Sequence, residues 1–178
     1  MKTRVLVPMF IAVIAGCGSV GAGNPSADDV ILCLPAGERL IPLQAELAVT
    51  PTERQKGLSG REQLSRRAGM LFVYPREKGP DNSFWMYRTR IPLTILFLDG
   101  KGVVRSMQDM APCLKESGSG CASYPAGVDH WMALEVNQGL PAALGISEGA
   151  TIQLSRDGDR ATCDNAGELT PGTLPEAH

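Results

Sequence analysis

Ser83 to Gly102 reads "SFWMYRTRIPLTILFLDGKG" and sets Trp85 beside Arg88 and Arg90. A flat apolar ring next to a planar, five-donor cation suits recognition. The ring takes an apolar face, and the guanidinium takes a carboxylate or phosphate. In an extended chain alternate residues face opposite sides. Phe84 and Met86 then share one side, and Trp85 shares the other with Tyr87. Phe84 and Met86 can fill a core while Trp85 stands at the edge of a groove. The competing reading is that the whole block is core. Two more residues belong with this set. Arg54 lies in "TERQKG", and Glu135 lies in the alternating stretch "ALEVN". They could pair with each other as a structural ion pair. With a ligand present, Arg54 would instead clamp a carboxylate or phosphate through parallel hydrogen bonds. The candidate binding residues are Arg54, Trp85, Arg88 and Glu135.

Catalysis finds less support. Glu135 or Asp109 could serve as a general acid or base, but such sites are marked by paired groups of different pKa, and no pair is evident. His130 is the only histidine besides the terminal His178, and it reads as a surface residue near a strand end. No G-x-S-x-G elbow frames a serine nucleophile. Neither a dinucleotide fingerprint nor a P-loop stands in context. We assign no catalytic residue, no metal site and no cofactor. The formal charge is −2 and there is no long basic run, so nothing invites nucleic acid.

The five cysteines are Cys17, Cys33, Cys113, Cys121 and Cys163. The chain opens "MKTRVLVPMFIAVIAGCGSVGAG", with Lys2 and Arg4 ahead of an apolar run from Val5 to Ala15. That run of eleven is too short to span a bilayer, which takes about 20 residues, and it fits an export signal. Its end, Ile14-Ala15-Gly16-Cys17, resembles the bacterial lipoprotein signal, which implies a lipid on Cys17 and attachment to a membrane. An ordinary cleaved signal is the alternative. Setting Cys17 aside leaves four thiols, an even number suited to two disulfides outside the cytoplasm. Cys113 and Cys121 flank the polar loop "LKESGSG" and form the natural pair; Cys33 with Cys163 follows by elimination. Zinc is the competing use, but no C-x-x-C is present.

These residues need a scaffold. Twenty Gly and thirteen Pro argue for turns and against a helical bundle. Val30–Leu34, Gln44–Val49, Met70–Tyr74, Ser83–Met86, Ile91–Leu98, Val103–Met107, Trp131–Val136 and Ala150–Leu154 read as strands. Ile91–Leu98 is apolar on both faces and so belongs in the middle of a sheet. "DGKG" reads as a hairpin turn. Thr50, Pro51 and Glu53 spell a capping box for a short helix closed by Gly57. Asn137–Leu144 reads as a second short helix stopped by Gly145. The expected fold is mainly β (α+β): a compact antiparallel sheet or barrel-like domain with one or two short helices. The expected organisation is a signal peptide over 1–16, a lipid-anchored tether over 17–29, one β-rich domain over 30–163 and a flexible tail over 164–178.

The order of blocks "TERQKGLSGREQL", "GMLFVYP", "FWMYRTRIPLTILFLDGKGVV" and "ALEVNQGLPAALGISEGATIQL" resembles the bacterial and archaeal domain-of-unknown-function family number 192. The resemblance covers roughly Gln44 to Leu154 and implies a small β-rich fold, often exported, without an assigned activity. This chain departs from the family pattern. It has Leu58-Ser59 where Leu-Met is usual, Arg88 where asparagine is common, and Thr94 where aspartate is common. The functional expectation is a lipid-anchored, extracytoplasmic module that binds a small ligand, a glycan or a peptide. The alternatives are an envelope assembly or scaffold protein and, behind it, a hydrolase with a carboxylate acid–base.

Overall fold

The computed structural model describes residues 29–156 and 162–174. Cys17, the signal and nearly all of the tether lie outside the described residues.

The strands are β1 (Asp29–Ala36), β2 (Arg39–Ala48), β3 (Ala68–Lys78), β4 (Ser83–Trp85), β5 (Leu93–Leu98), β6 (Val104–Met110), β7 (Ser123–Pro125), β8 (His130–Asn137), β9 (Gln153–Ser155) and β10 (Ala166–Glu168). Two short helices join them, α1 (Pro51–Lys56) and α2 (Leu140–Leu144). Eight strands form one sheet in the order β10-β9-β1-β2-β3-β8-β5-β6, and β4 pairs with β7 in a separate ribbon. The sheet is mixed rather than purely antiparallel, because β2 runs parallel to β3. The connection through α1 carries the chain back to the starting end of β2, so that β3 runs in the same direction, which a tight hairpin cannot do. The sheet's ends approach through an isolated bridge between Val103 and Thr151, but it does not close into a barrel.

β5 lies between β6 and β8, and all six of its residues are buried, as its two-faced apolarity predicts. Alternation sorts the core onto the two faces of the sheet. Leu71, Val73, Leu96, Leu98, Met132, Leu134 and Val136 pack on one face with Leu32, Leu43 and Ile152. Met70, Phe72, Leu93, Ile95, Phe97 and Ala133 pack on the other, under Phe84 and Met86. There Phe84 meets Phe72 and Phe97 edge to face, with ring centroids 5.1 and 5.7 Å away. Glu135 alternates with Ala133 and therefore falls on this second, aromatic face.

Local sequence explains the elements that carry candidate side chains. The Thr50 hydroxyl accepts from the Glu53 amide, and the Glu53 carboxylate accepts from the amides of Thr50 and Val49 at 2.8 and 2.9 Å. Pro51 fits the first turn, and Gly57 closes the helix.

Three expectations need correction. β3 runs through Pro75 instead of ending there. Its register with β8 shifts between Val73 and Lys78, and an irregularity of this kind admits a proline that cannot donate to a ladder. His130 is fully buried, not on the surface. Its ring sits edge to face with Tyr74 and Phe97, Asn82 Nδ2 lies 3.1 Å from its Nε2, and its Nδ1 lies 3.2 Å from the Val128 carbonyl. Donation by Asn82 fixes the Nδ1–H tautomer, and burial holds the ring's pKa below its usual value. Finally, residues 164–174 are not a loose tail. β10 pairs with β9, and Leu169 and Leu174 are buried in the first core face.

The "DGKG" turn combines two constraints at Gly102. Its φ is +77°, and a Cβ there would lie 2.4 Å from the Ile152 carbonyl oxygen, which is backbone and cannot swing away. Gly37 has a similar φ of +62° but open space around it. Gly37→Ala is expected to cost about 1–2 kcal/mol from left-handed strain alone. Gly102→Ala should cost about 1–3 kcal/mol more, from overpacking against the β9 approach. Chemical denaturation of both variants checks this; equal losses would show that the close approach carries no weight.

Candidate functional site

Arg54, Trp85, Arg88 and Glu135 come from α1, β4, the segment after β4, and β8, and all four line one cavity of about 290 Å³. Phe72, Phe84, Leu58, Tyr87 and Lys56 complete much of its wall. Asp109 is not among its lining residues. It accepts from Thr94 Oγ1 at 2.6 Å and Gln138 Nε2 at 3.0 Å, and these bonds hold its carboxyl below the usual range. The cavity therefore carries a single carboxyl group, and the paired carboxyls that an acid–base hydrolase needs are not brought together in it.

Glu135 is 4% exposed and its side chain has no hydrogen bond or ion pair with the described residues. No fully buried side-chain polar atom among the described residues lacks a partner. The Glu135 carboxyl therefore reaches solvent only by opening into the cavity that it lines. Burial pushes it up to about 8, so it is chiefly a neutral acid, and a hydrogen-bond donor, at neutral pH.

The expected pairing of Arg54 with Glu135 does not form. The Arg54 guanidinium donates instead to the carbonyls of Val49 and Val73. It also stacks over the Tyr74 ring at 5.1 Å. The capping box directs this placement, because it fixes the first turn of α1 against the end of β2. Arg61, on the turn after α1, pairs with Glu46 across the surface.

Trp85 is 49% exposed, while Phe84 and Met86 on either side are buried, as strand alternation predicts. Its ring lies 5.5 Å from that of Tyr87. Arg88 is exposed and has a φ of +59°, the one non-glycine residue in the left-handed region among those described. Its guanidinium lies over Tyr87 at 5.0 Å. The Cys113–Cys121 loop supports this wall. The Arg88 amide donates to the Cys113 carbonyl at 2.9 Å, and the Tyr87 hydroxyl donates to the Glu116 carbonyl at 3.1 Å. A Cβ at Gly118 would sit 2.7 Å from the Trp85 ring, so the loop backbone packs directly against the indole. Sequence reasoning missed this contact; the polar loop "LKESGSG" carries no sign that one of its glycines is a packing site.

Both expected disulfides are present, Cys33–Cys163 and Cys113–Cys121, with Cα separations of 5.7 and 5.8 Å. They fit an oxidising compartment outside the cytoplasm. No helix among the described residues is long and apolar enough to cross a membrane. No group of three or more potential metal ligands occurs among those residues.

The raised Glu135 pKa makes stability depend on pH. Below pH 4.5 the carboxyl is protonated in both folded and unfolded chains, and above about 8 it is ionised in both. Between those limits the folded chain holds a proton that the unfolded chain has released. Stability relative to Glu135→Gln should therefore fall as pH rises from 4.5 to about 8 and level off beyond. Melting temperatures of both proteins across this range check it. A gap that does not change with pH would mean that Glu135 titrates normally.

The comparisons with known proteins agree on kinship and leave activity open. A protein of Sinorhizobium meliloti 1021, proposed to be a transcription regulator, has a similar structure with a TM-score of 0.62 and 28% identity, covering 71% of this chain and 93% of that one. A protein of unknown function from Novosphingobium aromaticivorans DSM 12444 aligns with a TM-score of 0.58 and 30% identity, covering 70% of this chain and 84% of that one. No curated protein sequence matches the chain. The family DUF192, described as "Uncharacterized ACR", matches residues 33–154, from the first disulfide cysteine through β9. The chain belongs to the DUF192 family.

Proposed function

We propose that this chain is an extracytoplasmic binding module, anchored to a bacterial membrane by a lipid on Cys17, whose cavity takes a small ligand or one residue of a glycan or peptide. The observation that carries the reading is Glu135: a buried acid with no partner, opening into a cavity walled by a half-exposed tryptophan. A buried polar group left unpaired is costly in a purely structural role. A ligand that hydrogen-bonds to it recovers that cost on binding. The volume of about 290 Å³ is at the lower end of small-molecule sites, which run to roughly 300–1,000 Å³.

Two features favour this over other classes. The cavity has one carboxyl and no second acid–base group, which weakens the hydrolase alternative. The formal charge of −2 and helices of only six and five residues give no support to carrying over the regulator proposal made for the Sinorhizobium protein.

Saturation-transfer NMR with a panel of monosaccharides, dipeptides and small aryl compounds tests the binding reading. Some members should bind, and Trp85→Ala should weaken them about tenfold or more. Trp131→Phe should leave them unchanged. Binding insensitive to Trp85→Ala, or no binding at all, rejects the cavity as the site. Intact mass of membrane-purified protein tests the anchor: an acylated Cys17 is expected, and an unlipidated N-terminus would remove it.

A further inference from the structure

The charges around the cavity go further than the binding reading and name a ligand class. Arg54, Lys56 and Arg88 all line it. The ion pairs among the described residues involve Arg61, Arg90 and Arg105, so none of the three lining cations is in a salt bridge, although the neighbouring Glu53 carboxylate feels the charge of Arg54. Arg54 gives one nitrogen to two backbone carbonyls, which are neutral, so its guanidinium carries no direct carboxylate contact. The only acid in the lining is the buried and unpartnered Glu135. The remaining walls are flat and apolar, built from Phe72, Phe84 and Trp85.

Resting on the binding reading above, we propose that the cavity selects a small organic anion, a carboxylate carried on a flat apolar body, with its charge facing the arginines and accepting a hydrogen bond from the Glu135 carboxyl.

Each part of such a ligand answers one feature of the site. An ionised carboxylate supplies the acceptor that a protonated carboxyl lacks here, and charge-assisted O–H···O bonds of this type are short and strong. It also brings negative charge to the part-buried Arg54, where Coulomb attraction exceeds its value in bulk water, and to the exposed Lys56 and Arg88. The apolar body covers the aromatic walls. A cationic ligand would require Glu135 to ionise and would still face the three fixed positive charges. A neutral ligand would fill the walls and leave the cations as they are.

Protonation of Glu135 is then part of recognition. Because burial holds its pKa at about 8, it donates at pH 7 and becomes a repelling carboxylate as pH rises through that value. Anion affinity should fall over the same window. This sign is opposite to the one expected of a ligand cation, whose affinity would rise as Glu135 ionises.

Titration of the full chain, disulfides intact, with benzoate, benzyl alcohol and benzylamine tests the proposal, since these probes share a ring and differ in charge. Benzoate should bind at least tenfold more tightly than either of the others at pH 7. Its affinity should fall several-fold by pH 9 in the native protein and stay level in Glu135→Gln, which keeps a neutral donor. Arg88→Asn removes a cation while placing at φ +59° a residue that tolerates it, so folding is preserved; it should weaken benzoate about tenfold. If the alcohol or the amine binds as tightly as benzoate and is sensitive to Trp85→Ala, the cavity remains a binding site and anion selectivity is wrong. If benzoate fails to bind while other panel members do, the same conclusion holds. If nothing binds, both readings fall. A benzoate affinity that rises with pH would also overturn the role given to Glu135.

Discussion

A carboxyl group sits on a strand that has no free face. β8 lies between β3 and β5, and core packs on both sides of it. Strand alternation commits position 135 to the aromatic face, so an acid there must be buried. A charge in that position would carry a desolvation penalty of several kcal/mol after relaxation. Retaining the proton lowers that cost, and opening the aromatic layer beside the carboxyl lowers it further. The cavity opens beside this carboxyl, while the sheet's other buried polar residues, Thr94 and His130, have hydrogen-bond partners. The surrounding elements are arranged about it: α1 brings Arg54 and Lys56, β4 brings Trp85, and the following segment brings Arg88.

The wall opposite β8 is not part of the main sheet and needs its own support. β4 pairs only with the three residues of β7, and a ribbon of that length has little stability alone. Phe84 and Met86 pin it to the core from below. From the side, the loop between Cys113 and Cys121 meets Trp85, Tyr87 and Arg88 through one packing contact and two backbone-directed hydrogen bonds. Closing that loop across eight residues removes about 2–3 kcal/mol of unfolded-state entropy in the chain-entropy model. The other disulfide spans 130 residues, worth about 5 kcal/mol on the same model, and holds the segment carrying β10 against β1. One bridge therefore shapes the site and the other secures the sheet that bears it.

The legible parts of this fold were those with a short-range physical signature. The capping box at Thr50, the two-faced apolarity of β5 and the alternation around Trp85 each follow from neighbours within a few residues. The cysteine pairs were legible because four thiols leave only three ways to form two disulfides, and one pair flanks a short loop. What escaped was set by contacts distant in sequence. The parallel pairing of β2 with β3 depends on a crossover, not on the composition of either strand. β10 is three residues long, and Gly167 within it gives no periodic signal. His130 looked exposed because a lone histidine after Asp129 carries no mark of the Tyr74 and Phe97 rings that enclose it. The candidate site was legible as residue types, since Trp85 with Arg88, Arg54 and Glu135 stood in three blocks far apart in sequence. The absence of an Arg54–Glu135 pair was not, because the carbonyls of Val49 and Val73 compete for the guanidinium only once β3 lies beside α1.

Arg88 joins these threads. Its backbone is held from both sides: its amide donates to Cys113, and its carbonyl accepts from Gly60 at 2.8 Å. The left-handed conformation is therefore imposed by the two loops it bridges, whichever residue occupies the position. Asparagine visits that region more easily than other non-glycine residues. An arginine bears about 1–2 kcal/mol of strain in the same place. Stacking on Tyr87 at 5.0 Å offsets about 0.5–1 kcal/mol of it at an exposed site. The remainder is the cost of a permanent cation at the lip of the cavity, and backbone strain of this kind concentrates where a side chain has work to do on a ligand. Arginine at this position exchanges conformational ease for positive charge, and it does so at the cavity that the protonated Glu135 and Arg54 also line.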